Sequence, residues 1–344
     1  MMIRFESDYT QGAVPGIIDA LVSTNMEMTP GYGIDEYCLS AAEKIKTELE
    51  CEDCDVHFLV GGTQTNLTFI ASAVKPYQAV ICADTGHINV HECGSIEACG
   101  TKLLQIPSPD GKIKASEVEK IAYGHFSDPI REHAVQPGLV YISFPTENGT
   151  VYSKKELEDL YAVCKKYGML LYIDGARLGY GLASRGNDLE MKDFPCLCDA
   201  FYIGGTKVGA LFGEALVICN DGCKKDFRYM IKQKGAMFAK GRLLGLQFDV
   251  LFTDGLYHAI SRHAVGLAQK IRDAFEEKGI ELLYDSPTNQ QFPILTKEQA
   301  DFLGKDFAYS PWCRVGDKFA VRFCTSWATD ERDVDKLVEA VKGL

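Results

Sequence analysis

Leu171-Tyr172-Ile173-Asp174-Gly175-Ala176-Arg177 is an apolar run that stops on a carboxylate, turns at a glycine and presents a cation three residues later. Further along, Asp199-Ala200-Phe201-Tyr202-Ile203-Gly204-Gly205-Thr206-Lys207-Val208-Gly209-Ala210 is a second apolar run that delivers one lysine among glycines. An acid at the carboxyl end of a parallel strand faces the crevice where α/β sheets bind ligands. Held there, a carboxylate keeps a heteroaromatic nitrogen protonated, and the guanidinium beside it grips a phenolate or carboxylate oxygen bidentately. A purely structural Asp174–Arg177 pair is the alternative. Glycines crowd a lysine where something planar approaches it, and apolar surroundings depress its pKa toward the neutral amine that forms imines. The plain alternative is an exposed lysine in a Gly-rich turn.

Outward from these stretches, short apolar runs alternate with helical ones from residue 35 to about 220. Val56–Val60, Ala79–Cys82, Lys102–Ile106, Leu139–Ser143, Met169–Asp174 and Ala200–Ile203 read as strands, most of them buried on both faces. This is the pattern of βαβ units around a largely parallel sheet. Ser153 followed by Glu156 forms a capping box that opens an amphipathic helix. Gly61-Gly62-Thr63-Gln64-Thr65-Asn66 lies between a strand and a helix expected to begin near Gln64. Glycines and free N–H groups at a helix start make an anion site, although a simple Gly turn has the same look. It is neither a Walker A loop nor a dinucleotide fingerprint. In that order, a phosphate cradle, a strand-end Asp and a Gly-flanked Lys describe a site for pyridoxal 5'-phosphate.

The composition agrees with a soluble enzyme of small molecules. The chain has 344 residues, 46% hydrophobic and 24% charged, with 36 Lys+Arg against 48 Asp+Glu and a net charge of −12. That balance offers no basic face for nucleic acid. No run approaches the ~18 apolar residues of a membrane helix, and Met1-Met2-Ile3-Arg4-Phe5-Glu6 is no secretory signal, so the expected compartment is cytoplasmic. Thirteen cysteines scattered through regular elements read as reduced, and Cys51-x-x-Cys54 lacks a second ligand pair for zinc; no metal is expected.

After Gly241 the pattern becomes a long helical region to about Lys278, broken near Thr253-Asp254-Gly255. Strands at Ile280–Tyr284, Phe292–Leu295 and Phe319–Phe323 follow, and then a closing helix from Asp330 toward Lys342. A large α/β domain followed by a smaller α+β domain is expected, with the boundary near residue 250.

Across nearly its whole length the sequence resembles the threonine aldolase branch of the β-eliminating lyases, within the fold-type I pyridoxal phosphate enzymes. The motifs are Ser7-Asp8-Tyr9, Gly62-Thr63-Gln64-Thr65-Asn66, Gly86-His87-Ile88-Asn89-Val90-His91-Glu92, Asp174-Gly175-Ala176-Arg177, Thr206-Lys207 and Val321–Trp327. The resemblance implies an α/β fold with a mostly parallel seven-stranded sheet. It also implies an N-terminal arm (1–20), a large cofactor-binding domain (21–250) and a small C-terminal domain (251–344). Lys207 corresponds to the lysine linked to the cofactor, Asp174 to the partner of its ring nitrogen, and His87 to the imidazole stacked on its ring, with His87 or a water it positions as the proton acceptor. Gly62, Thr63 and Thr206 correspond to phosphate contacts. Arg177 corresponds to a cofactor contact and, with Ser7 and Arg322, to the clamp on the substrate carboxylate.

The activity implied is cleavage of L-threonine, L-allo-threonine or a related β-hydroxy-α-amino acid to glycine and an aldehyde; β-elimination or amino transfer on another amino acid is the alternative. A homodimer or homotetramer with shared active sites is also implied. Near Ala239 some members carry an arginine that reaches a neighbouring subunit's phosphate; here the alternatives are Lys240, Arg242 or no such contact. At Glu147 some carry a histidine.

Overall fold

The computed structural model describes residues 2–344. The short strand β1 (Ile3–Arg4) opens the chain. Seven strands then build one sheet: β2 (Asp55–Leu59), β3 (Gln78–Ala83), β4 (Lys102–Ile106), β5 (Gln136–Ser143), β6 (Leu170–Asp174), β7 (Ala200–Gly204) and β8 (Glu214–Ile218). Their order is β2-β8-β7-β6-β5-β3-β4. All neighbours run parallel except β8, which is antiparallel to both β2 and β7. The uniformly apolar runs seen in sequence follow from this: β7 and β8 are buried at every position, as strands covered on both faces must be. One apolar core, including Val140, Ile173 and Phe201, lies on one face of the sheet. A second, including Phe69, Tyr141, Tyr172 and Tyr202, lies on the other, as alternation along each strand requires.

The chain passes outward from β3 to β4 and returns to the other side of β3 to build β5. Such a reversal opens a crevice at the carboxyl ends of the parallel strands. Ser143 ends β5, Asp174 ends β6 and Gly204 ends β7, so this edge collects the polar side chains that the strand interiors exclude. The helix Gly62–Ala73 starts directly after β2, two residues earlier than the sequence suggests. The Ser153–Glu156 capping box is formed and opens the helix Lys154–Tyr167.

The later part of the chain forms its own layer. Strands β9 (Gln290–Gln291), β10 (Ile294–Leu295), β12 (Ser310–Val315) and β13 (Lys318–Cys324) make an antiparallel sheet, while β11 (Phe307–Ala308) pairs in parallel with β1. The helices Leu256–Glu277 and Glu331–Lys342 cover a core that contains Phe275, Val321, Phe323 and Leu337, together with Phe5 from the N-terminal segment. Phe5 and β1 therefore fasten the first residues to the C-terminal layer, which fixes where Ser7 and Asp8 lie.

Two expectations need correction. Ile280–Tyr284 is not a strand but holds a single bridge, Leu282 to Pro293, and the expected strand Phe292–Leu295 shrinks to β10, with β9 formed just ahead of it at Gln290–Gln291. Pro293 accounts for the gap between β9 and β10, because a proline carries no N–H to donate to β13. The cysteines are also not all free: Cys51 and Cys54 are joined by a disulfide in the turn between the helix Glu36–Glu48 and β2. No helix among the described residues is long and apolar enough to cross a membrane.

The ends of β6 and β7 approach so closely that a Cβ on Gly175 would lie 1.9 Å from the Tyr202 carbonyl oxygen. Backbone cannot yield as a side-chain tip can, so Gly175→Ala is expected to cost about 3 kcal/mol or more. A thermal midpoint lowered by about 5 °C or more reads that loss; a midpoint unchanged within about 2 °C would contradict the close approach.

Candidate active site

At the carboxyl edge of the sheet lies a cavity of about 540 Å³ lined by Tyr9, His87, His91, Glu147, Arg177, Lys207, Ser310, Pro311, Trp312 and Arg322. Of the residues expected from sequence, His87, Arg177, Lys207 and Arg322 line it. Gly62, Thr63, Asp174, Thr206 and Ser7 do not line it. Ser7 is buried beside Asp8 in the N-terminal segment.

Asp174 is the most completely held of these groups. Its Oδ1 accepts from the Tyr202 hydroxyl at 2.5 Å and the Ala176 N–H at 3.0 Å. Its Oδ2 accepts from the Tyr141 hydroxyl at 2.6 Å and Asn66 Nδ2 at 2.9 Å. Burial alone would raise its pKa, but the His87 charge and the hydrogen bonds from Tyr141, Tyr202 and Asn66 outweigh it and lower the value. The carboxylate therefore stays ionised in a buried place.

His87 starts the short helix His87–Val90 after β3. Its Nδ1 lies 2.8 Å from Glu92 Oε1, an oxygen that also accepts from Asn66 Nδ2 at 2.8 Å. Burial lowers the imidazole pKa, but the Glu92 hydrogen bond and the Asp174 charge overcome it and the value rises, so the ring tends to hold its proton. His91 is exposed at the cavity mouth, with its pKa lowered by burial and by the cations around it.

Lys207 follows β7 in a turn pinned to the start of β8. Gly205 N–H donates to Glu214 Oε2 at 2.9 Å, and Gly213 N–H donates to the Thr206 hydroxyl at 3.0 Å. The ammonium of Lys207 makes no hydrogen bond or ion pair among the described residues, and burial with the nearby Arg177 charge lowers its pKa. Glu214 behind it is pushed up to about 7 by burial.

The cations differ in how they are compensated. Arg177 is spent on a bidentate pair with Asp8, at 2.6 and 3.0 Å, and Asn289 Nδ2 donates to the same carboxylate at 2.9 Å. Arg322 meets only neutral partners, Gln290 Oε1 at 3.1 Å and the Glu6 carbonyl at 3.0 Å, and its Nε is buried with no partner. Its guanidinium lies 5.5 Å from the Trp312 ring centroid. Arg322 is thus the cation left for a substrate carboxylate.

These residues fit pyridoxal 5'-phosphate. An ionised, buried Asp174 suits a protonated ring nitrogen, and Lys207 offers an unpaired amine of lowered pKa. The helix Gly62–Ala73 presents a start with no side-chain cap, in a cradle where a Cβ on Gly62 would come within 2.8 Å of the Tyr202 hydroxyl. Sequence reading missed the Asp8–Arg177 pair and the contributions of Tyr9 and Trp312. Asp8 stood in a quoted motif, but nothing local connects it to Arg177.

Comparison with known proteins places this geometry in a family. The model described as beta-eliminating lyase matches residues 5–298. A low specificity L-threonine aldolase from a Pseudomonas strain is 30% identical over 345 residues, covering 99% of this chain and 97% of the relative. That of Saccharomyces cerevisiae is 25% identical over 71% of this chain and 61% of its own. The solved structure of Leishmania major threonine aldolase is 44% identical with a TM-score of 0.96, covering 99% of both chains. An aspartate aminotransferase from Thermus thermophilus, 14% identical with a TM-score of 0.71 over 100% of this chain and 92% of its own, shares the fold.

The Asp8–Arg177 pair generates a pH signature. Although burial would raise it, the Arg177 charge holds the Asp8 carboxyl well below its ordinary value of 3.8. A lowered pKa contributes stability above the ordinary value, and that contribution is lost as pH falls toward the folded one. Asp8→Ala strands a buried guanidinium and is expected to cost about 3–5 kcal/mol near pH 7. Thermal midpoints of the two proteins should converge as pH drops below about 4; a gap that stays constant down to pH 3 would contradict the ion pair.

Proposed function

The chain belongs to the β-eliminating lyase family, and from that premise we propose that it is a pyridoxal phosphate-dependent carbon–carbon lyase. It cleaves L-threonine, L-allo-threonine or a related β-hydroxy-α-amino acid to glycine and an aldehyde. The observation that carries this reading is one cavity holding a free lysine amine and an uncompensated arginine, with an ionised carboxylate buried behind them. When bound, pyridoxal phosphate supplies an aldehyde that links to amines and a conjugated ring that takes up the electron pair of a broken Cα bond.

The protein's own groups set which bond that is. Asp174 would hold a proton on the ring nitrogen, and the start of the helix Gly62–Ala73, with Thr63 and Thr206, would take the phosphate. Lys207, an unpaired amine of lowered pKa, would be the residue that holds the cofactor's aldehyde. Arg322 fixes the substrate carboxylate, with Ser7 nearby in sequence to Asp8 and Arg177 kept in place by Asp8. Anchoring the carboxylate at Arg322 would limit the orientations open to the substrate's Cα bonds and so select which of them is cleaved. His87, held by Glu92, would lie against the cofactor ring.

A second copy of the chain is part of this reading. Val22, Met26, Met28, Ile34 and Leu39 are exposed by 72, 88, 100, 57 and 60% along one stretch, an apolar surface that a dimer would cover. Arg242 is held within its own chain, donating to Thr24 Oγ1 and the Thr24 carbonyl at 2.9 Å each. Lys240 is exposed and carries the role expected toward a neighbouring phosphate.

Incubation of the loaded protein with threonine or allo-threonine is expected to yield glycine and acetaldehyde in equal amounts. Lys207→Ala should lose activity by roughly a thousandfold or more and should no longer trap the cofactor under borohydride. Pyruvate plus ammonia, a keto acid in place of glycine, or full turnover by the variant would contradict the reading.

A further inference from the structure

Among the described residues that line the cavity, Glu147 is the one carboxylate; the other charged groups there are arginine, lysine and histidine. Its carboxyl is fixed through a single oxygen. Oε1 accepts the His87 backbone N–H at 2.9 Å and the Ser143 hydroxyl at 2.6 Å. No donor among the described residues reaches Oε2. From Ser143 the chain of hydrogen bonds continues to the Tyr141 hydroxyl at 3.2 Å and from there to Asp174 Oδ2 at 2.6 Å. His87, the other group of suitable chemistry, has Nδ1 tied to the fully buried Glu92 side chain. His91 is exposed at the mouth and makes no hydrogen bond that would orient it.

Resting on the aldolase reading above, we propose that Glu147 is the catalytic base that receives the β-hydroxyl proton of the substrate, with Ser143 and Tyr141 as positioning residues that tie it to Asp174. The assignment moves the proton-accepting role expected of His87 to a carboxylate beside it. The substrate O–H bond breaks and its proton passes to Oε2 of Glu147. The oxygen's electron pair closes the C=O bond of the departing aldehyde as the Cα–Cβ bond breaks. The pair of that bond is left at Cα, which takes a proton from solvent in the cavity and gives glycine. Glu147 returns its own proton to solvent through the cavity, so the proton count balances.

The groups facing this carboxyl have a definite pull. Burial raises its pKa, the Ser143 hydrogen bond and His87 oppose this, and Asp174 adds to the rise. Cys82 on β3 and Tyr141 on β5 face it with raised pKa values of their own and remain neutral. Across the cavity stand Lys207, Arg177, His91 and Arg322. A base must be ionised to act, so turnover should rise with pH as Glu147 loses its proton, and this acid limb should lie above the ordinary carboxylate range.

Glu147→Gln keeps the shape and an oxygen for both donors, and it tests the assignment in the loaded enzyme. Threonine turnover is expected to fall about a hundredfold or more and the acid limb to vanish. Glycine, which has no hydroxyl, should bind with unchanged affinity by calorimetry and exchange its α-proton at the wild-type rate. Glu147→Asp should retain the limb at reduced turnover. Without cofactor, carbon-13 spectra of glutamate-labelled protein should show raised carboxyl titrations from Glu147 and Glu214, and Glu147→Gln should remove one of them and leave the other. Undiminished turnover, a persisting acid limb, an equal loss of glycine binding, or loss of the limb in His91→Asn instead would overturn the proposal. Failure of the aldolase reading itself looks different: the unaltered enzyme would exchange glycine yet release no aldehyde from any β-hydroxy amino acid.

Discussion

A negative charge buried at the end of a strand is the constraint around which the site is built. Removing a carboxylate from water costs several kcal/mol, and charge-assisted hydrogen bonds return about 1.5–3 kcal/mol each. Asp174 therefore needs most of its lone pairs filled, and its four donors come from β5, β7, the helix Gly62–Ala73 and the turn after β6. The parallel register that sets Ser143 opposite Asp174 also brings Tyr141 within reach. A one-residue slip would turn the whole inward set of side chains to the other face. The core and the chemistry thus share one register.

The same requirement orders the charges above it. His87 is balanced by Glu92, and Arg177 by Asp8. Lys207 has Glu214 behind it and no direct partner, which leaves its amine of lowered pKa. Arg322 alone meets neutral groups on every occupied nitrogen. The cavity is consequently cationic where an amino acid's carboxylate would enter, with one acid, Glu147, set into it. Its position beside the His87 backbone couples it to the turn that carries the histidine.

The parts legible in sequence were those whose physics is local. A run such as Leu171–Asp174 announces a buried strand and its end at once, and Ser153 with Glu156 announces a helix start. Lys207 among glycines, and Asp174 before Gly175, mark the crevice because only a few residues are needed to see them. The pairing of Asp8 with Arg177 spans 169 residues and leaves no local trace. The apolar run Phe292–Leu295 reads as one strand, yet Pro293 has no N–H to give β13, and the pairing with β13 lapses between β9 and β10. The Cys51–Cys54 bond escaped notice because the spacing was weighed only against zinc. The environment of Glu147 joins nearby Ser143 to the His87 N–H 60 residues away, and only the first of these contacts is local in sequence.

The most direct measurement is the nitrogen-15 chemical shift of ring-labelled pyridoxal phosphate bound to the protein. If Asp174 remains ionised under its four donors, the ring nitrogen should resonate in the protonated range at neutral pH and move to the unprotonated range in Asp174→Asn. An unprotonated shift in the unaltered protein would contradict the buried charge on which the site depends.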